Sequence, residues 1–298
     1  MFQHPLLRGW FRTRPYFLPL AAILLMMSGI VTFDSSALAK RVAKVGASPS
    51  KLRLQKALAV PTTAPSTSEP EQVDPLDSPH PIPWKWILTT QDQISANKGS
   101  GVRFYRTPSL VSPDGQYAAY SRIQIQVQPE MYNSRVSSVM FVENLATGNL
   151  RVVSASSPLA NNPLKKNEPA DMPGVISIMT PVSWSQSGDR LLARQFEGTF
   201  NSSDASDYAV VWDKRQNRAN TVAPSKIEYS QAVLLGWSQT KPDQVLFRAG
   251  ELGNEKPPLW AVNLRGQTVA AKQDQPVVFG RSINHTWAGP QRPIGSRF

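Results

Sequence analysis

The chain has 298 residues, no cysteine and a formal net charge of +11 at pH 7. The absence of cysteine excludes disulfides, thiolate nucleophiles and cysteine metal sites. Basic residues are scattered through residues 84–298 with no run longer than two, whereas a nucleic-acid-binding protein usually groups them in a stripe with interleaved aromatic residues. We therefore predict no nucleic-acid partner.

Residues 1–39 have the pattern of an export signal. Residues 1–14 contain three arginines and no acid, residues 15–33 carry no charge, and Ala37-Leu-Ala39 is a small-x-small cleavage site. An uncharged stretch of this length also suffices to cross a hydrocarbon layer of about 30 Å. The segment is therefore either a cleaved signal peptide or an anchor with a single transmembrane segment. Both versions predict that residues after 40 lie in the periplasm or another extracytoplasmic lumen.

Residues 40–83 have the composition of a linker. Residues 40–56 contain six basic residues and no acid, so this part either contacts an anionic membrane surface or serves as a soluble tether. Residues 61–83 contain seven prolines and four acids, a composition that cannot build a hydrophobic core. We predict a disordered linker over residues 40–83 and a folded domain over residues 84–298.

One pattern occurs three times in the folded part. Each copy has an apolar run, a polar turn and a second apolar run, and a later apolar run follows each copy. The copies are residues 109–120, 182–193 and 235–247, and the later runs are residues 139–142, 208–212 and 259–262. A unit that recurs in this way indicates a stack of similar structural modules.

The turn inside each copy predicts a tight connection between two strands. The turns are residues 112–115 (Ser-Pro-Asp-Gly), 185–188 (Ser-Gln-Ser-Gly) and 238–243 (Ser-Gln-Thr-Lys-Pro-Asp). Proline presets φ, serine and aspartate bond the local backbone, and glycine accepts the positive φ that closes the turn. The flanking runs are β-branched and aromatic, and residues 84–298 show no long stretch at helical spacing. We predict an all-β domain.

The first copy, Ser-Pro-Asp-Gly-x-x-x-Ala-Tyr followed by an apolar run, resembles the blade signature of the TolB-like β-propellers, which are related to the WD repeat. The second copy keeps Trp-Ser-x-x-Gly but lacks Pro-Asp, and the third keeps Trp-Ser and displaces Pro-Asp by two residues. The resemblance covers residues 107–270. It implies a propeller fold and says little about function, because the motif defines a turn and not a site.

The number of blades limits the fold that this resemblance implies. Propellers close with four to eight blades, and the sequence shows three copies. Residues 84–106 and 275–283 could pair as a degenerate fourth blade. Without such pairing the stack would leave strand edges open for a partner. We predict a small or incomplete β-propeller, and a β-sandwich is the alternative.

The sequence contains few groups that could carry catalysis. His4 precedes the hydrophobic segment and His80 lies in the linker, which leaves His285 as the histidine of the folded part. There is no Gly-x-Ser-x-Gly nucleophile elbow, no glycine-rich phosphate loop and no cluster at metal-ligand spacing. We predict no catalytic residue, no cofactor and no metal, and we expect His285 to lie on the surface.

Three carboxylates require a separate interpretation. Asp204 and Asp207 flank a short polar loop that follows Glu197. Such a group could bind a cation or supply an acid and a base, but that chemistry needs set distances and shifted pKa values. The favoured interpretation is a solvated hairpin loop. The alternative is a hydrolase that uses these three residues.

The tryptophans divide into two groups. Trp184 and Trp237 occupy equivalent positions in two copies, and Trp212 and Trp260 lie in the later apolar runs, which predicts packing between repeats. The tryptophans outside the repeats are free to serve an interface, and these are Trp84, Trp86 and Trp287.

These features favour a non-enzymatic module that is exported or tethered to the membrane and binds another protein of the cell envelope. The interpretation needs no site chemistry, and open strand edges could be completed by a partner strand. The alternatives are a domain that binds carbohydrate or cell wall, and a hydrolase.

Overall fold

Three four-stranded antiparallel meanders, one for each copy of the sequence pattern, form most of the folded domain. The structure is a computed structural model that describes residues 74–160 and 172–292. A helix and a strand precede the repeats, and these are α1 (Trp84–Ser95) and β1 (Gly101–Arg106). The first repeat consists of β2 (Ser109–Val111), β3 (Tyr117–Val127), β4 (Arg135–Asn144) and β5 (Leu150–Val153), with a 3-10 turn at Met131–Asn133. The second consists of β6 (Val175–Trp184), β7 (Arg190–Thr199), β8 (Ala205–Asp213) and β9 (Arg218–Val222), and the third of β10 (Gln231–Ser238), β11 (Gln244–Gly250), β12 (Leu259–Asn263) and β13 (Thr268–Ala270).

The turns within the copies form as the sequence predicts. The amide of Gly115 donates to the carbonyl of Ser112 at 2.9 Å, and the amide of Gly188 donates to the carbonyl of Ser185 at 2.9 Å. Both glycines have a φ near +70°, which glycine adopts without steric strain. The hydroxyl oxygen of Ser238 accepts the amide of Lys241 at 2.8 Å, which closes the longer third turn. Each turn joins the first two strands of its repeat.

Two apolar clusters hold the three repeats together. One cluster combines side chains of the first and second repeats around Met140 and Trp184, and the other combines the second and third around Leu192 and Trp237. The indole nitrogen of Trp184 donates to the carbonyl of Leu110 at 3.0 Å, and that of Trp237 donates to the carbonyl of Trp184 at 2.8 Å. Each tryptophan thus bonds the first strand of the preceding repeat. The prediction that both tryptophans pack between repeats is confirmed.

The helix α1 is an element that the sequence did not predict. Its buried residues are Ile87, Thr90 and Gln91, so only one of the three is apolar and the usual helical periodicity of apolar residues is missing. The amide nitrogen of the Gln91 side chain donates to the carbonyl of Gln128 at 3.0 Å. This bond satisfies the nitrogen end of the buried amide, whereas Oε1 of Gln91 is buried without a hydrogen-bond partner among the described residues.

Residues 74–83, which the sequence places in the linker, contact the folded domain in the structure. Leu76 and Ile82 are buried in a third apolar cluster, together with Ile87 of α1 and strand residues of all three repeats. We call residues 74–83 the N-terminal arm. The arm contains two apolar residues among many prolines, which gives no periodic pattern. Its composition alone therefore placed it in the predicted linker.

The C-terminal residues cross all three repeats and do not form a fourth blade with residues 84–106. We call residues 275–291 the C-terminal strap, which contains β14 (Pro276–Val277), β15 (Arg281–Ile283) and β16 (Gly289–Gln291). β14 pairs with β10, Phe279 forms a bridge to Trp184 at the end of β6, and β15 pairs with β2. The strap therefore pairs with the first strand of every repeat, and β16 pairs with β1. The pairing of residues 84–106 with residues 275–283 that could have made a fourth blade does not form, because Trp84–Ser95 is a helix and residues 276–283 pair with β10, β6 and β2.

The all-β prediction is confirmed at the level of fold class. The described residues form an eleven-stranded sheet and a five-stranded sheet, neither of which is closed. No helix of residues 74–160 or 172–292 is long and apolar enough to cross a membrane. The predicted signal or anchor over residues 1–39 and the linker up to residue 73 lie outside the described residues.

A substitution in the strap tests whether it packs as the structure shows. Gly280 has a φ of +106°, and a Cβ there would lie 2.8 Å from the carbonyl oxygen of Val111 and 3.0 Å from Cδ1 of Trp184. We expect Gly280→Ala to lower the free energy of unfolding by about 1–3 kcal/mol, measured by chemical denaturation. The control is Gly289→Ala in the same strap, since Gly289 has a φ of +94° but no atom within 4 Å of its Cβ position. Equal costs at the two glycines would contradict the packing of the strap.

Candidate functional site

Glu197 and Asp207, two of the three candidate carboxylates, lie on opposite faces of the second repeat. Asp207 is directly opposite Phe196 in the pairing of β7 with β8, and Glu197 is opposite Ser206. Directly opposed residues share a face and successive residues alternate between faces. Both carboxylates are buried, whereas Asp204 is exposed. The solvated-loop interpretation is therefore right for Asp204 and wrong for the other two, and Glu197 and Asp207 cannot act together on one substrate group.

Asp207 belongs to a buried ion cluster that we call the Arg194 cluster, formed by Asp74, Arg194 and Asp207. Nε of Arg194 donates to Oδ1 of Asp207 at 2.7 Å, and its two terminal nitrogens donate to the Asp74 carboxylate at 2.7 and 3.1 Å. Arg194 also donates to the carbonyl of His80 at 2.8 Å, and Asp207 accepts the amide of Leu234 at 2.9 Å. The cluster thus joins the N-terminal arm to the second and third repeats.

The charges of the Arg194 cluster do not balance, because two carboxylates share one guanidinium. Complete burial raises the pKa of Asp207 to about 6, although the nearby Arg194 favours its charged form. Burial also acts to raise the pKa of Asp74, but Arg194 and the amides of Ile82 and Leu76 outweigh it and hold that pKa below its usual value. Each group has partners for its polar atoms and is almost completely buried, which indicates a structural role.

Glu197 has a structural environment as well. Its carboxylate accepts hydrogen bonds from the hydroxyl of Ser157, from the amide of Leu159 at 3.0 Å and from the side chain of Gln195 at 3.3 Å. Burial raises the pKa of Glu197, and these three donors oppose the rise. The carboxylate therefore holds residues 157–159, which follow the first repeat in the chain, against β7 of the second repeat. Within the part of the chain that the structure describes, no three His, Asp or Glu residues group as a metal site would require.

The histidines and the tryptophans outside the repeats have different surroundings. His285 is exposed on the C-terminal strap, as predicted. His80 lies in the N-terminal arm, where Nε2 contacts the carbonyl of Leu235 at 3.0 Å, and burial lowers its pKa. Trp84 stacks on Phe200 with 6.2 Å between ring centroids. Trp287, by contrast, is 71% exposed and is the candidate that stays free for an interface.

A small apolar cleft lies between α1 and the turn that follows β7. Its volume is about 200 Å³, and its apolar walls come mainly from Trp84, Leu88, Met131 and Phe200. Asp204 lies among the polar residues that also line it. The described walls combine this apolar surface with one carboxylate, and they do not define a particular occupant.

The first repeat leaves one face of its sheet without a neighbouring repeat. Its inner face carries Ala119, Met140 and Val142, which pack against the second repeat. The opposite face, which we call the open face, alternates with these residues along the strands and includes β1. By this alternation the face includes Val102, Phe104, Arg106, Ala118, Tyr120, Arg122, Gln124, Gln126, Ser137, Val139, Phe141, Glu143, Leu150 and Val152. Of these residues, Ala118, Ser137 and Val139 are buried.

The open face combines exposed apolar residues with aromatic rings and arginines. Val102, Leu150 and Val152 are 37%, 50% and 43% exposed. The rings of Tyr120 and Phe141 stack with 5.5 Å between their centroids. A single exposed apolar residue such as Val102 is ordinary, but Leu150 and Val152 neighbour Phe141, and an exposed apolar group of this kind marks an interaction surface.

Sequence analysis missed the open face, although β3 contains a signal for it. Residues 122–127 read Arg-Ile-Gln-Ile-Gln-Val, a strict alternation of polar and apolar side chains. Such alternation indicates a strand with one buried face and one solvated face. The sequence could therefore have predicted that one side of the first repeat lies open.

Comparison with known proteins gives no further guide to function. No protein-family model matches the chain, and no curated protein matches it. The surfaces of the described domain are therefore the source of any functional assignment.

Proposed function

We propose that this chain is an exported, non-enzymatic, propeller-like module that binds another protein of the cell envelope through its open face. The stacked four-stranded meanders, with equivalent turns and equivalent tryptophan hydrogen bonds, support blades of a small or incomplete propeller. Residues 1–39 would export or anchor the domain, and residues 40–56 would contact anionic lipid headgroups.

The observation that carries the proposal is the grouping of exposed Leu150 and Val152 beside the Tyr120–Phe141 ring pair. Protein interfaces are enriched in aromatic residues and arginine, and their central residues are usually surrounded by contacts that exclude water. The open face has this composition on a sheet of paired strands. A partner that covers it would remove apolar surface from water, at about 25 cal/mol for each Å² buried.

A photo-crosslinking amino acid in place of Val152 tests the proposal in the native host. We expect a specific covalent adduct with an envelope protein when the full chain carries this residue. The control is the same replacement of Val269, which is 42% exposed on β13, the last strand of the third repeat. The two positions match in residue type, exposure and place in the repeat. No adduct at Val152, or the same adducts at both positions, would refute binding through the open face.

A carbohydrate-binding role rests on one observation, the exposure of Trp287, since exposed aromatic rings can stack on sugars. Saturable binding of an envelope polysaccharide by the full chain, lost in Trp287→Ala, would favour that role over the proposed one.

A further inference from the structure

Two arginines of the open face oppose each other across neighbouring strands. Arg106 of β1 is the direct pairing partner of Arg122 of β3. Opposed side chains in an antiparallel pair have Cβ atoms about 4.5–5.5 Å apart, and like charges at such positions destabilise the sheet. The pairing therefore has a cost that other contacts of the protein must offset.

No carboxylate within the described residues neutralises this pair. The guanidinium of Arg106 lies 3.9 Å from the ring centroid of Tyr120 and donates to the hydroxyl of Ser109 at 3.1 Å. These contacts fix the position of its charge without neutralising it. Arg122 is exposed, and in the described part of the chain its side chain has no hydrogen bond or ion pair.

A third cation lies on the same side of the sheet. Arg281 of the strap pairs with Val111, and Val111 pairs with Ala118, which lies two residues before Tyr120 and hence on its face. Among the strand residues of this face in the described part of the chain, the one acid is Glu143, which lies opposite Ala118 on one side and opposite Leu150 on the other. The open face is therefore electropositive around an aromatic and aliphatic centre.

We infer that the open face binds an acidic segment of a protein, with carboxylates on Arg106 and Arg122 and an apolar side chain on the rings of Tyr120 and Phe141. The inference rests on the proposed function and names its partner class. Carboxylate oxygens match the donor geometry of guanidinium groups, and an anion between the two arginines would relieve their repulsion.

The composition of the open face favours this occupant over two others. A second copy of the chain, docked face to face, would bring the arginine pairs together, and such like-charge contact is unfavourable. An anionic polysaccharide would satisfy the arginines but would leave Leu150 and Val152 against a polar ligand. An acidic protein segment with apolar residues satisfies both parts of the surface.

The binding test uses the full chain in an uncharged detergent and a fluorescent nine-residue peptide that alternates glutamate with leucine. We expect fluorescence anisotropy to show saturable binding that weakens as salt is added. Arg122→Glu should weaken binding by about tenfold or more, because it replaces a positive charge that attracts the glutamates of the peptide with a negative charge that repels them. Arg122→Lys should lose less than Arg122→Glu, because it keeps the charge without the planar donor fork. The control is Arg265→Glu on the exposed turn of the third repeat, which should leave binding unchanged.

Several outcomes would overturn the inference. These are equal binding of a lysine–leucine peptide, unchanged binding by Arg122→Glu with its fold intact by circular dichroism, and tighter binding of a sulfated polysaccharide or of phosphatidylglycerol vesicles. The crosslink at Val152 separates this failure from that of the proposed function. If Arg122→Glu leaves the Val152 adduct unchanged, the acidic partner is wrong and protein binding stands. If no adduct forms at position 152 in a chain that keeps Arg122, the proposed function fails, and the inference that rests on it fails as well.

Discussion

Arg194→Met should lower the free energy of unfolding by about 3–5 kcal/mol, because it leaves two buried carboxylates without their counter-charge. The side chains of Arg194 and Asp207 are fully buried, and that of Asp74 is 2% exposed. Methionine fills much of the space of the arginine stem, so the loss reports on charge and hydrogen bonding more than on a cavity. Chemical denaturation of the full chain, followed by tryptophan fluorescence, measures the change.

The matched control for Arg194→Met is Arg190→Met in the same strand. Arg190 pairs with Asp243 at 2.6 Å, but the Asp243 side chain is 80% exposed. Exposed ion pairs contribute about 0–1 kcal/mol, so this control should cost far less. We also expect Arg194→Met to release the N-terminal arm, seen as faster amide exchange at Leu76 and Ile82. Similar small costs at both arginines, with the arm still protected, would contradict the structural role of the cluster.

The parts of the fold that could be predicted from the sequence are those that local chemistry determines. Ser112 and Gly115 form their turn through a hydrogen bond between residues three apart and a positive φ at glycine. The same holds for Ser185 and Gly188. Because the turn residues and the flanking apolar runs recur together, all three turns could be located from the sequence, although the number of blades could not.

The elements that sequence analysis missed depend on contacts between distant residues. β14 and β15 have two and three residues, too few for a periodic pattern, and they form by pairing with the edges of β10 and β2, the first strands of the third and first repeats. The arm depends in the same way on Arg194, which is 120 residues from Asp74. No local pattern in the sequence connects such partners.

The candidate site was partly visible in the sequence. The alternation in residues 122–127 indicates the open face, whereas the opposition of Arg106 and Arg122 depends on the register of β1 against β3. The burial of Asp207 could not be predicted either, because a short polar loop precedes it in the sequence. A single arginine after the apolar residues 191–193 of β7 was the remaining signal of a buried ion pair.

Trp184→Ala should lower the free energy of unfolding by about 3–5 kcal/mol, as truncation of a large buried aromatic residue does. The ring of Trp184 lies 6.3 Å from that of Tyr117 in the first repeat and 6.4 Å from that of Trp212 in the second. Its indole nitrogen bonds the carbonyl of Leu110, and its backbone amide bonds Phe279 of the strap. Alanine therefore leaves a cavity where two repeats and the strap meet, and also an unsatisfied carbonyl.

Two further tryptophans determine whether the cost of Trp184→Ala reflects packing between repeats. Trp237→Ala should cost about as much, because Trp237 occupies the equivalent position and is 1% exposed. Trp287→Ala should change the stability little, since that side chain is 71% exposed. Trp84→Ala should lie between them because Trp84 is half-buried against Phe200. Equal and small costs at all four positions, measured by chemical denaturation, would mean that the equivalent tryptophans do not hold the repeats together.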